Sequence, residues 1–279
     1  MRINPICFNT NFCQPSFGVN LQSPKLKFNQ DDFYVRIKGY GKNYHWVEKI
    51  KETADDAVDF IRENMDFESI LRYITNGVFQ ANQFPADVEK RLHTGILRTE
   101  RKNWRYGSDW KSGSIITHYD GAGSKYETYK NRFDYTVSHP LKNPYYKFML
   151  TRPVRNRDYG RFLEHSEPHY INSSLDMVGS LYRMLHERYI KKEATEADLN
   201  DINAIIAEIR WILAHATPWE RGSDAISNTF IRSVYKAMGI KTTPLKKGIS
   251  LDLEAYCTNL EDYKKNFSDY FVKKPVIVD

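Results

Sequence analysis

Apolar residues recur at helical spacing in several stretches of the chain, and between them the pattern breaks down. From His45 to Asn64, the positions Trp46, Val47, Ile50, Ala54, Ala57, Val58 and Ile61 fall three or four apart, which predicts an amphipathic helix. A second helix is expected from Phe67 to about Gln83, with Ile70, Leu71, Ile74 and Val78 facing inward and Pro85 as its stop. After Asn172 the pattern strengthens. Leu175, Val178, Leu181, Tyr182 and Leu185 form one stripe, and Leu199, Ile202, Ile205, Ile206, Ile209, Ile212 and Leu213 form another. Thr195, with Asp198 three residues on, reads as a capping box in front of the latter. A third helix of this region, from about Asp224 to Met238, buries Ile226, Phe230, Ile231, Val234 and Tyr235, and Gly239 is placed to end it. A fourth starts near Ser250, with Asp252 in its first turn, where the helix dipole favours a carboxylate.

The middle of the chain has a different character. Between Leu97 and Val137, glycine recurs at Gly107, Gly113, Gly121 and Gly123, and Ser114 to Tyr119 is rich in β-branched residues, so loop and hairpin are expected. Four prolines between Ser138 and Pro168 (Pro140, Pro144, Pro153 and Pro168) predict an irregular excursion. The fold class is therefore mainly α: a helical bundle carrying a loop and β-hairpin insertion at about 107–168. Residues 31–279 are expected to form a single domain behind a flexible leader, 1–30, which is polar, rich in Asn, Ser and Gln, and without pattern.

With 279 residues the chain can bury a core that needs no staples. Its apolar runs are only a few residues long, which excludes a bilayer-spanning helix. Cys7, Cys13 and Cys257 make an odd set without ligand spacing, so neither a disulfide framework nor zinc is expected, and a reducing compartment is. The histidines show no HExxH spacing and the carboxylates do not cluster, so no metal is expected. A net charge of +6 suits an anionic partner without choosing one. Arg98, Arg101, Lys102 and Arg105, interleaved with Trp104 and Tyr106, form a basic and aromatic stretch, and Arg152, Arg155, Arg157 and Arg161 form a second. Neither is accompanied by a nucleic-acid module, so nucleic acid is not the expected partner.

Candidate chemistry concentrates in residues 205–240, IIAEIRWILAHATPWERGSDAISNTFIRSVYKAMGI. A long apolar helix is followed by a short turn with Pro and Gly, then by a second buried helix. Fic proteins have this organisation around HPFxxGNGR, whose turn cradles phosphates at a helix start. With Pro218, Trp219 and Gly222 set on P-F-x-x-G, Thr217 stands where the Fic histidine would be, and Ser223, Asp224 and Ala225 replace N-G-R. The residues for AMP transfer are missing. The turn Pro218-Trp219-Glu220-Arg221-Gly222-Ser223 instead resembles the P-x-x-R-G-S of the avirulence protein B branch of the Fic/Doc/AvrB (Fido) group. Ser250, Asp252, Glu254 and Ala255 resemble that family's S-x-D-x-E-A. The resemblance runs from about Tyr170 to Asp269 and more thinly from Trp46 to Glu100.

The resemblance implies a Fido-like fold and a secreted bacterial effector acting in the host cytoplasm. It also implies transfer of a deoxyhexose from a nucleotide sugar, of the dTDP- or UDP-rhamnose type, to Thr or Ser of a host protein, with no further cofactor required. Arg221 offers a bidentate contact to phosphate, and Gly222 lets the backbone approach it at a helix start, although both residues also suit a plain surface turn. Asp224 departs from the family's small neutral residue. Turned outward or capping the helix it is harmless, whereas turned inward it competes with phosphate. Asp252 is the expected catalytic carboxylate, with His169 as its partner or, by a shift of alignment, His165. Arg98, Thr99, Thr217, His215 and Ser223 complete the expected nucleotide-sugar pocket, although His215 equally fits a buried hydrogen-bonder and Trp219 either a base platform or core. Two other readings stay open: a non-catalytic adaptor that binds nucleotide or peptide, and a nucleotidyl transferase, which Thr217 disfavours.

Overall fold

The computed structural model describes residues 26–37, 43–82, 94–100, 110–111, 114–120, 126–145, 148–158 and 160–278. The leader up to residue 25, the stop at Pro85, the four glycines of the middle segment and the basic and aromatic residues 101–106 lie outside the described residues.

Helix α1 (Tyr44–Arg62) buries Val47, Ile50, Ala54, Ala57, Val58 and Ile61, the stripe the periodicity predicts, and the Asn43 side chain caps it by accepting from the Trp46 amide at 3.1 Å. Helix α2 (Phe67–Ala81) is capped in the same way by Asp66. The two helices touch at Gly77, where a Cβ would fall 2.2 Å from Thr53 Oγ1, so only glycine permits the approach. The segment before them is also packed. Phe28, within the expected leader, and Phe33 are both buried.

The middle of the chain holds more regular structure than its prolines suggest. Strands β1 (Trp110–Lys111), β2 (Ser114–His118), β3 (Arg152–Asn156) and β4 (Gly160–Glu164) form an antiparallel sheet in the order β1-β2-β4-β3. Thr117 lies opposite Leu163, which in turn faces Pro153. Helix α3 (Lys130–Ser138) lies within the stretch expected to be loop and hairpin. Pro153 lies in β3, an edge strand of the described sheet, the position where strands tolerate proline.

The helical body follows. Helix α4 (Ile171–Leu185) continues as a π-turn over His186–Ile190 and packs on α5 (Leu199–Ala216). The last eight residues of α5, 209–216, are all buried, so its C-terminal half has no solvent face. Helix α6 (Ser223–Ala237) packs on α1, α2 and α5, and a two-residue β5 (Ile240–Lys241) follows it. The expected terminal helix is broken into α7 (Leu251–Ala255) and α8 (Leu260–Asn266), both against α5, and β6 (Val276–Ile277) returns to pair with β5. The molecule is thus mainly α with a small antiparallel sheet, and among its described residues no helix is long and apolar enough to cross a membrane.

Candidate functional site

The α5–α6 turn carries the motif. Thr217 ends α5 in the left-handed region (φ 42°, ψ 61°), a costly conformation for a β-branched residue, and is held there by its Oγ1 donating to Ala214 O at 2.8 Å. Gly222 closes the turn at φ 88°, and a Cβ added there would meet Thr94 Cγ2 at 3.3 Å and Val78 Cγ1 at 3.4 Å. Ser223 Oγ folds back, accepting from the Trp219 amide at 3.2 Å and donating to Trp219 O at 3.0 Å. The strap 94–98 runs along the turn through three backbone bonds: Gly95 N to Arg221 O (3.1 Å), Glu220 N to Ile96 O (2.9 Å) and Arg98 N to Pro218 O (2.9 Å).

Two polar groups meet below this turn. In the first, Arg98 is 2% exposed and donates to Thr217 O and Ala216 O (each 2.7 Å), Ser166 O (2.8 Å) and Ser166 Oγ (3.3 Å). Burial lowers its pKa to about 10, with Tyr256 and Glu220 acting in the opposite direction. Its guanidinium therefore caps the carbonyl end of α5, and this commitment runs against its expected role at the phosphates. Beside it, the buried His165 places Nε2 2.9 Å from Thr117 Oγ1, and Nδ1 3.3 Å from both Thr151 Oγ1 and Thr217 Oγ1.

The second group centres on Arg210, 0% exposed in the middle of α5. Its Nη1 donates to Asp252 Oδ1 at 2.5 Å and its Nη2 to Asp224 Oδ1 at 2.5 Å, while Asn228 Nδ2 donates to the same Asp224 oxygen at 3.2 Å. Burial alone would lower the Arg210 pKa. The charges of Asp252 and Asp224 outweigh it, and the group is held above its ordinary value. The side chains of Asp224 and Asp252 remain 22% and 15% exposed. Tyr256 connects the two groups. Its hydroxyl donates to Ala214 O at 3.3 Å, and its pKa is raised well above the ordinary value by burial and then by the charge of Asp252.

The structure distributes the expected residues unevenly. Asp252 stands in the second group, and Asp224 is turned inward, the orientation that competes with phosphate. Thr217 stands in the first group with His165. His169, by contrast, is 62% exposed, pairs with Glu167 at 3.1 Å and lies against Tyr170, outside both groups. Thr99 is exposed. His215 is buried between two carbonyls, Thr151 O and Ala255 O, each 3.1 Å from a ring nitrogen, and burial drives its pKa down to about 3. It is a core residue, as its bland reading had it. Arg210 escaped the sequence reading, although it is the one basic residue between Leu199 and His215 and its neighbours Ile209, Trp211 and Ile212 leave it no polar face.

A cavity of about 1010 Å3 opens on the other side of the strap, between α2 and α4. Its walls include Phe67, Leu71, Leu175, Leu97 and the motif's Trp219, but none of Arg221, Gly222, Asp224 or Asp252. It borders the turn without containing the carboxylates.

Comparison with known proteins covers the same part of the chain. Residues 147–274, which span the turn and both polar groups apart from Arg98 and Thr117, match the AvrB_AvrC family, described as avirulence protein. Avirulence protein B of Pseudomonas savastanoi pv. glycinea is 28% identical over 105 residues, which cover 38% of this chain and 30% of that protein. The chain therefore matches less than a third of the relative's length.

Proposed function

We propose that this chain, whose residues 147–274 match the AvrB_AvrC avirulence protein family, is a bacterial effector that glycosylates a host protein. The donor is a nucleotide sugar of the dTDP- or UDP-rhamnose type and the acceptor a Thr or Ser hydroxyl. The observation that carries this reading is the clasp of Asp252 and Asp224 by the buried Arg210, with Asp224 following the Arg221-Gly222-Ser223 turn in the chain. It fixes the Oδ1 oxygens of both carboxylates.

Glycosyl transfer breaks the bond from the anomeric carbon to the diphosphate and forms one to the acceptor oxygen, and the hydroxyl proton must leave. A carboxylate supports both halves: it stabilises positive charge developing at the anomeric carbon and takes the proton. Asp252 has this role in the proposal. Arg221 takes the leaving diphosphate, since a guanidinium matches two phosphate oxygens at once.

A second reading is an adaptor that binds nucleotide or peptide without turnover, and the surface position of His169 favours it, because the expected partner of Asp252 is not beside it. Intact-mass measurement separates the two. Full-length protein is incubated with UDP-rhamnose and dTDP-rhamnose and with candidate host proteins. A sugar-sized increment on the acceptor, lost in Asp252→Asn and in Arg221→Ala, is the expected result. Nucleotide-sugar binding without any increment supports the adaptor, and Arg221→Ala binding like the wild type would remove the phosphate role.

A further inference from the structure

We propose that Thr117 is a self-acceptor: its hydroxyl, held on the lone pair of His165 Nε2, takes the sugar that would otherwise pass to another protein. The inference rests on the nucleotide-sugar reading and names an acceptor for it within the chain itself.

Strand pairing brings the two residues together. Thr117 of β2 lies opposite Leu163 of β4, and His165 comes two residues after Leu163, so the three side chains share one face of the sheet. That face is the inner one, since Leu163 is buried in the core and His165 is buried too, while Thr117 keeps part of its surface open to solvent. Two further threonines reach the imidazole from elsewhere in the chain: Thr151, just before β3, and Thr217, at the head of the motif turn. Their hydrogen bonds decide which ring nitrogen carries the proton. A threonine hydroxyl has one proton to give. That of Thr151 goes to His215 O at 2.7 Å and that of Thr217 to Ala214 O at 2.8 Å. Both oxygens, each 3.3 Å from Nδ1, can then only accept, so Nδ1 is the protonated nitrogen and donates to them. Nε2 keeps its lone pair, and the Thr117 hydroxyl, 2.9 Å away, donates to it. The imidazole is thus oriented from behind and presents a basic nitrogen to a hydroxyl, the arrangement that activates an oxygen nucleophile.

In the self-transfer step the bond from the anomeric carbon to the diphosphate oxygen breaks, and its electron pair leaves with the nucleoside diphosphate. A new bond joins that carbon to Thr117 Oγ1, and the hydroxyl proton passes to His165 Nε2 and from there to water. Threonine is the type of hydroxyl the proposed reaction already requires, and Thr217 ties this imidazole to the turn that carries the motif.

The test is incubation of the full chain with UDP-rhamnose and dTDP-rhamnose, first alone and then with candidate host proteins, followed by intact mass and by fragmentation. One sugar per chain, mapped to Thr117, is expected without any other protein present. Thr117→Ser is expected to keep it, and Thr117→Val, which retains the shape without the hydroxyl, to lose it while still modifying a host protein. His165→Gln is expected to slow self-modification by about a hundredfold. Nitrogen NMR of histidine-labelled protein gives a readout that needs no sugar: His165 is expected as the Nδ1–H tautomer. The tautomer and the Thr117 variants decide the matter if His165→Gln does not fold. An Nε2–H tautomer, a sugar that persists in Thr117→Val, or sugar on a host protein with none on the chain overturns the self-acceptor and leaves the transferase standing. No sugar on any protein from either donor overturns both.

Discussion

Arg210 holds its place only through its partners. Removing a guanidinium from water costs several kcal/mol, and two carboxylates at 2.5 Å offset that cost. Taking the guanidinium away leaves Asp224 and Asp252 facing one another with most of their surface shielded. Arg210→Met is therefore expected to destabilise the fold by about 3 kcal/mol in urea unfolding, and combining it with Asp224→Asn and Asp252→Asn is expected to recover most of the loss. A single variant that unfolds like wild type, or a triple variant worse than the single one, would show that packing and not charge governs the position. The sequence made the carboxylates of this clasp legible but not its guanidinium. Asp252 could be found because a motif and a helix start both single it out. Arg210 lies on a helix whose apolar stripe had already been assigned, and which face a lone arginine occupies depends on neighbours far away in sequence. His169 and His165 stand four residues apart, and no property of their surroundings in the sequence told which one the fold would bury.

At the level of elements, the helices predicted from periodicity are present because each buries its own stripe. α1, α2, α4, α5 and α6 all appear near their expected bounds. The exceptions have a common cause. The edge strand β3 alternates its burial over only five residues and contains Pro153, and α3 buries just Phe133 and Thr136, so neither has a pattern strong enough to stand out from loop. What aligns the turn with its surroundings was equally hidden: the strap 94–98 lies more than a hundred residues away in sequence and joins the turn by backbone bonds, which no side-chain pattern encodes. Gly222 is the joint between them. Alanine there must adopt φ 88° and press its Cβ on Thr94 and Val78, and the cost is expected to be about 1–3 kcal/mol. Hydrogen exchange on Gly222→Ala should show faster exchange at the Gly95 and Arg98 amides, whose acceptors are in the turn, while the centre of α5 stays protected. Unchanged protection of those two amides would mean that strap and turn are not one unit.

Across the whole molecule, α7 fastens the insertion to the helical body. Asp252 faces inward to Arg210 on α5, while Glu254, two residues on and thus on another side of the short helix, reaches α3. Glu254 accepts Arg132 Nη1 at 2.6 Å, Arg132 Nη2 at 2.8 Å and the Tyr129 hydroxyl at 2.7 Å. The two ends of this ion pair are unequal, since the Glu254 side chain is 4% exposed and that of Arg132 44%. Breaking the pair from either side should therefore have different costs. With Glu254→Gln, Arg132 is left near water and rehydrates, and the expected loss is about 1 kcal/mol. With Arg132→Met, a buried carboxylate loses its counter-charge and keeps only the hydroxyls of Tyr129 and Tyr270, and the expected loss is about 3 kcal/mol. The more exposed residue is thus the more costly one to remove, the reverse of what surface position alone suggests. Urea unfolding of the two variants decides the order. An Arg132→Met protein as stable as Glu254→Gln would mean that water reaches Glu254, and that the sheet and α3 sit on the core without being clamped to the helix that carries Asp252.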